Sequence, residues 1–296
     1  MTGQIDLLPA VAAWLQQETA VEAAVLFGSS ARMTSAAAPG SRSDLDLHVV
    51  TSDAARLEQI DWRSAVPGGG FCLQAVRPAT GGVRKVTALF VSGEIDLVLV
   101  PVKRLRLGRL AVRCGLHRRR GGLRVALNEI ATCMHSGYRF LKGEKEWGAF
   151  YARIVAEMPG VRLSDPEAVN LADIFLCDLC WVFQKLERGE LSAAQHLTHR
   201  SLAEINFRLM RELRLRRGQP VQSFGLGRKV ESTLSPEELT WVQVDARLRR
   251  EDLGRAAWTA FKGMRALMRE LIPAWQVPSG MDELLVRNSA RAEQAG

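Results

Sequence analysis

The 296-residue sequence has no apolar run of the roughly 20 residues that a membrane-spanning helix needs, because charged side chains interrupt every hydrophobic stretch. Its opening stretch, MTGQIDLLPAVAAWLQQETA, holds acids and no basic flank, so no secretory signal is expected there. Five cysteines (Cys72, Cys114, Cys133, Cys177 and Cys180) are an odd number at scattered spacings, which argues against a disulfide framework. Cys177-x-x-Cys180 has no second Cys/His pair at zinc spacing and lies inside a helical pattern, so core packing is the better reading. There is neither a Gly-x-x-x-x-Gly-Lys nor a Gly-x-Gly-x-x-Gly, which removes P-loop and dinucleotide-binding readings. Internal repeats and low-complexity segments are missing as well. A hydrophobic content of 47% excludes disorder. The expectation is a soluble, cytoplasmic protein of one or two domains.

What is present is unevenly distributed. The formal net charge is +8, yet residues 1–102 carry net −3 and residues 103–296 carry net +11. Such a break suggests two units with different tasks. The densest basic stretch, Lys103 to Arg124, has nine Lys/Arg and no acid. It reads either as a solvated connection or as an anion-binding surface for triphosphate or RNA, though it lacks interleaved aromatics.

Periodicity divides the chain in the same way. Leu7, Leu8, Val11 and Leu15 mark one face of a helix over 4–17. Ala23 to Phe27 is a short strand entering a Gly28-Ser29 turn. Leu45, Leu47 and Val49 alternate with Asp44, Asp46 and His48, which gives a strand with two distinct faces. Phe71–Val76 follows a Gly triplet as a further strand. Lys85–Val91 and Glu94–Val100 form a hairpin, closed by Pro101. From about residue 123 the period becomes helical. Leu127, Ile130, Met134 and Tyr138 are read as one helix face, Leu171 to Leu186 as a second helix stopping at Gly189, and Leu202 to Leu213 as a third. Ser235-Pro-Glu-Glu238 carries a complete helix start, and a last helix runs over 254–272. The domains expected are 1–120, a mixed α/β unit, and 121–296, all helical, joined at Gly121-Gly122.

The chemistry concentrates in the first unit. Asp44 and Asp46 lie two apart on a strand, so both carboxylates leave the same face, which is unfavourable without a cation between them. Hard oxygen ligands of that kind suit Mg²⁺. The Gly28-Ser29 turn offers backbone N–H groups and a hydroxyl to a phosphate. Asp96 interrupts an apolar strand, where an unpartnered carboxylate is costly. Ile95, Leu97 and Leu99 face one side and put Asp96 on the other with Glu94, which is expected to face solvent at the strand start. Three carboxylates on neighbouring strands beside a Gly-Ser turn point to metal-dependent phosphoryl or nucleotidyl transfer.

These motifs resemble the nucleotidyltransferase superfamily that includes DNA polymerase β: Gly28-Ser29, Asp44-x-Asp46 and a later strand Asp96, all within residues 20–101. The resemblance implies a polymerase-β-like mixed sheet with Asp44, Asp46 and Asp96 as metal ligands, the last also helping to activate the acceptor hydroxyl. It implies Gly28, Ser29, Arg32 and Ser43 as the nucleotide-binding set. Ser43 on its own reads as ordering its turn. A weaker resemblance, over roughly 165–245, is to the C-terminal domain of aminoglycoside 6-adenylyltransferases (streptomycin adenylyltransferase-like proteins). It is carried by Lys185-x-x-Arg-Gly-Glu-Leu191 with Ala194, and by Gly227-Arg-Lys-Val-Glu231. It implies that the helical domain binds the acceptor, with Glu190 as a second candidate base. The function so implied is Mg²⁺-dependent transfer of an NMP, AMP from ATP, onto a hydroxyl of a small aminoglycoside-like molecule. The net +11 of the second half does not favour a polycationic acceptor. The alternatives are transfer to RNA or protein, as in toxin-type members, and a catalytically inactive nucleotide-binding protein.

Overall fold

Strand alternation in the sequence becomes a sheet with two different faces. In the computed structural model, which describes residues 6–28, 30–31, 43–119, 121–219, 221, 230–281 and 283, Leu45, Leu47 and Val49 enter one core while Val50 enters another. The first part of the chain forms helix α1 (Leu7–Gln17), strands β1 (Val21–Phe27) and β2 (Ser43–Thr51), and the short helices α2 (Ala54–Leu57) and α3 (Trp62–Ala65). Strands β3 (Phe71–Ala79), β4 (Val83–Phe90) and β5 (Gly93–Pro101) follow, then helices α4 (Val102–Arg113) and α5 (Gly122–Met134), strand β6 (Tyr138–Lys142) and helix α6 (Glu144–Glu157). The strand order is β3-β4-β5-β2-β1-β6. Among the described residues β2 and β5 run parallel, and the other neighbours are antiparallel. The mixed sheet with flanking helices is the architecture that the sequence led us to expect.

Each face has its own cover. Leu7, Val11 and Leu15 of α1, with Leu57, Trp62 and Val66, pack on Leu45, Leu47, Ile95 and Leu97. Full burial of each such side chain contributes about 1.5–3 kcal/mol. The opposite face carries Val25, Phe27, Val50 and Val100 and is covered by α4, α5 and α6 through Leu105, Leu127, Trp147 and Tyr151. The basic stretch from Lys103 is therefore mostly helix rather than a connection, with Leu105 and Val112 as its buried stripe.

Two expectations are corrected here. Tyr138 is not the end of a helix face: it opens β6, which pairs antiparallel with β1. The chain divides at 161/162 into compact units, not at 120/121. The reason is that residues 122–158 are tied to the sheet. Lys142 donates through Nζ to the carbonyls of Leu15 and Glu18 at the end of α1, at 2.8 and 2.9 Å. Gly143, at φ +78°, passes so close to β1 that a Cβ would stand 2.4 Å from the Glu22 carbonyl oxygen. Gly121-Gly122 marks only the start of α5.

The described residues of the second unit form helices and their connections, with no strand among them. Its helices are α7 (Asp165–Glu187), α8 (Leu191–Leu197), α9 (Ala203–Arg216), α10 (Val230–Thr233), α11 (Pro236–Val242) and α12 (Arg250–Leu271), with a π turn joining α8 to α9. Capping boxes at Ser164/Glu167 and Ser235/Glu238 fix two helix starts, the second at the predicted position. One core collects Phe175, Phe183, Leu209, Phe261 and Met264. Glu212, 1% exposed, accepts from Arg162, Arg216 and the Leu163 N–H, so its buried charge is fully partnered. No described helix is long and apolar enough to cross a membrane.

Candidate active site

Strand register builds the site. In the parallel β2/β5 pair, Asp46 is the partner of Asp96 and Asp44 is the partner of Glu94. Because side chains alternate, all four carboxylates leave the sheet on the side of α4–α6, opposite the Leu45/Leu47/Ile95/Leu97 core. The row grades in burial along β2: Asp44 is exposed, Asp46 half-buried and His48 buried. His48 closes the row, with Nδ1 2.6 Å from the Tyr151 hydroxyl of α6. Burial there pushes the His48 pKa down to about 4. It pushes the Cys133 thiol on α5 up to about 12, with the negative charge of Asp46 adding to the effect.

The end of β1 completes this edge. Phe27 is the register partner of Asp46, and the next residue, Gly28, has φ +78°. A Cβ at Gly28 would stand 2.9 Å from Asp46 Oδ2. Glycine is required there twice over, for the left-handed backbone and for the close approach of the carboxylate. Ser29 and Arg32 lie outside the described residues, as do the side chain of Ser43, which begins β2, and Gly227-Arg-Lys.

The electrostatics of the face are unbalanced. Glu94, at the start of β5, is intermediate in exposure, and its pKa is raised by burial and then by the charges of Asp96 and Asp44. Lys85 and Arg77 act on Glu94 in the opposite direction and do not cancel that effect. Lys85 is in direct contact with Asp96, its Nζ 2.5 Å from Oδ2. Thr87 donates its hydroxyl to Asp96 Oδ1 at 2.6 Å. Neither Lys85 nor Thr87 is among the site residues that the sequence motifs imply. The signal was the i, i+2 spacing of two polar side chains on β4, on the face turned to Asp96.

Carboxylate oxygens from adjacent strands are the donor type that hard divalent cations take, and Asp44 and Asp46 fit such an ion in kind. Among the described residues no group of three or more His, Cys, Asp or Glu side chains is arranged to hold a metal ion. Asp96 spends its two oxygens on Lys85 and Thr87 instead.

Glu190 belongs to the second unit, where it directly precedes α8 and follows Gly189 at φ +74°. It makes no side-chain cap to the helix. Lys185 Nζ sits 2.5 Å from its carboxylate and Arg188 4.0 Å away. The Lys185 hydrogen bond holds its pKa below the ordinary glutamate value. All five cysteines are free, with Cys180 in the core and Cys177 exposed.

No protein-family model and no curated protein matches the chain. Among solved structures it is similar to an aminoglycoside 6-adenyltransferase from Bacillus subtilis, at 13% identity and a TM-score of 0.40, over 97% of each chain. It is also similar to a nucleotidyltransferase-like protein from Exiguobacterium sibiricum 255-15, at 11% identity and a TM-score of 0.30, over 97% of this chain and 87% of that one. Both superpositions are loose, and neither assigns a role to any residue.

Proposed function

We propose that the protein is a divalent-metal-dependent nucleotidyltransferase that moves an NMP, AMP from ATP, onto a hydroxyl of a small aminoglycoside-like acceptor. The observation that carries this reading is the Asp46/Asp96 register across β2 and β5, with Asp44 on the same face and Gly28 against Asp46. The raised pKa of Glu94, to which Asp96 and Asp44 contribute, shows that these acids feel one another, as a set built to share a cation would.

In this reading Asp44 and Asp46 hold Mg²⁺, with Asp96 as the third carboxylate of the set. When bound, the ion neutralises charge on the nucleotide phosphates and polarises the α-phosphorus for attack. The chain's own groups supply positioning. The Gly28-Ser29 turn, with Arg32 and Ser43, cradles the triphosphate, and the sheet edge aligns the acceptor hydroxyl with the leaving pyrophosphate. The acceptor oxygen bonds to the α-phosphorus, the bond to the β-phosphate oxygen breaks, and pyrophosphate leaves. The hydroxyl proton passes to a carboxylate, either Asp96 or Glu190. A helical unit that binds the acceptor, Glu190 included, belongs to the same proposal, as do the division of labour between the units and a cytoplasmic setting.

A second reading, in which RNA or protein is the acceptor, is favoured by one observation. Lys103, Arg113 and Arg119 are exposed and make no ion pair among the described residues, whereas Arg106, Arg109 and Arg118 are paired with Glu22, Glu146 and Glu157. Magnesium-dependent pyrophosphate release, screened first with aminoglycosides and then with RNA, separates the two. Release with a drug acceptor and a shallow salt dependence supports the first reading. Release only with RNA, falling steeply with salt and weakened in Arg113→Ala, supports the second.

A further inference from the structure

We infer that Lys85 is a resident counter-ion that couples metal uptake to nucleotide binding: it balances Asp96 in the nucleotide-free protein, and the triphosphate draws its ammonium away and frees Asp96 for the metal. This rests on the nucleotidyltransferase reading and adds a residue and an order of events to it.

The geometry is specific. On β4, Thr87 is the register partner of Asp96, and Lys85 lies two residues further along the same face. Its stem reaches diagonally across to Oδ2 at 2.5 Å while Thr87 takes Oδ1 at 2.6 Å. Both Asp96 oxygens are thus engaged, and a divalent ion using Asp96 must displace a unit charge already in place. The Asp96 side chain is 14% exposed, so the carboxylate stands partly out of water beside other acids and needs one cation or another. Lys85 can supply it and can also leave. Its side chain is 33% exposed, on a flexible four-carbon stem with a compact ammonium that serves a phosphate as readily as a carboxylate. A metal ion alone offers Lys85 no new partner, whereas a metal with a triphosphate offers both exchanges at once. Linkage makes this reciprocal: nucleotide raises metal affinity by the factor by which metal raises nucleotide affinity.

The test measures Mn²⁺ binding by electron paramagnetic resonance, with and without a non-reactive α,β-methylene ATP, on wild type, Lys85→Met and Lys85→Arg. Asp46→Asn serves as the site control. Lys85→Met keeps the apolar stem and removes the charge; Lys85→Gln stands in if it does not fold. The expected result is that Lys85→Met binds Mn²⁺ alone about tenfold more tightly than wild type, within the usual range of coupling between sites. The enhancement by nucleotide should shrink by a similar factor in that variant, while Lys85→Arg stays close to wild type. Equal Mn²⁺ affinity in wild type and Lys85→Met, or an unchanged enhancement by nucleotide, overturns the inference and leaves the functional reading standing. If no folded variant takes up Mn²⁺ with or without nucleotide, or if Asp46→Asn binds it like wild type, the functional reading itself falls and the inference with it.

Discussion

Asp46 stands directly opposite Asp96 on the neighbouring parallel strand, partner for partner in the register. Two residues apart in one strand and adjacent across the next, Asp44, Asp46 and Asp96 are held together by hydrogen-bond register and not by loop conformation. A parallel pair of strands cannot slip by one residue without turning Leu45, Leu47, Ile95 and Leu97 out of their core. Hydrophobic burial on one side of the sheet therefore fixes the carboxylates on the other.

Gly28 tests the closeness of that edge. Gly28→Ala places a Cβ in a left-handed backbone that costs an L-residue roughly 1–2 kcal/mol. It also places that carbon 2.9 Å from Asp46 Oδ2. The expected outcome is a lower melting temperature together with a clear loss of metal-dependent nucleotide binding, read by calorimetry. A variant with wild-type nucleotide affinity would show that Asp46 does not need its present position.

Glu190→Gln separates a catalytic from a local role. A base for the acceptor hydroxyl predicts a large loss of transfer with nucleotide affinity unchanged. The ion pair with Lys185, 41% exposed on the glutamate side, predicts near-normal turnover and at most a slightly lower melting temperature. Transfer to acceptor and nucleotide affinity, measured on the one variant, decide between them. Normal transfer leaves Asp96 as the base.

Glu157 gives the first unit an acid-sensitive lock. The His117 hydrogen bond, then that of Arg153, pulls its pKa down to about 2. The folded value lies below the unfolded one, so this contribution is complete above about pH 4.5 and is lost as the pH falls towards 2. Glu157→Gln should melt below wild type at pH 7, and the gap should close across that window. A gap independent of pH would mean that packing, and not charge, sets it.

Much of this molecule was legible in its residues, and the failures are instructive. The Asp44/Asp46/Asp96 face followed from strict alternation with Leu45, Leu47, Ile95 and Leu97, because a period of two has a single meaning. The Ser235/Glu238 capping box and the stop at Gly189 followed from local chemistry. Strand β6 was missed because Leu127, Ile130, Met134 and Tyr138 continue a helical spacing across Gly137, and nothing local announces that Tyr138 pairs with Phe27. The domain boundary slipped with it. Lys85 and Thr87 share a strand face by their i, i+2 spacing, but that the face meets Asp96 is set by the β4/β5 register, a long-range property.

The most direct test of the account is nucleotidyl transfer from α-labelled ATP by wild type and Asp46→Asn, with Mg²⁺ and a panel of aminoglycoside and RNA acceptors. Wild type should pass the α-label to an acceptor and release pyrophosphate. Asp46→Asn should lose this activity by at least about 100-fold, the scale of removing one group aimed at the reacting centre, while melting at or slightly above the wild-type temperature because a like charge has been removed. Retention of most of the turnover by Asp46→Asn, or cleavage of ATP between its β- and γ-phosphates, would contradict it.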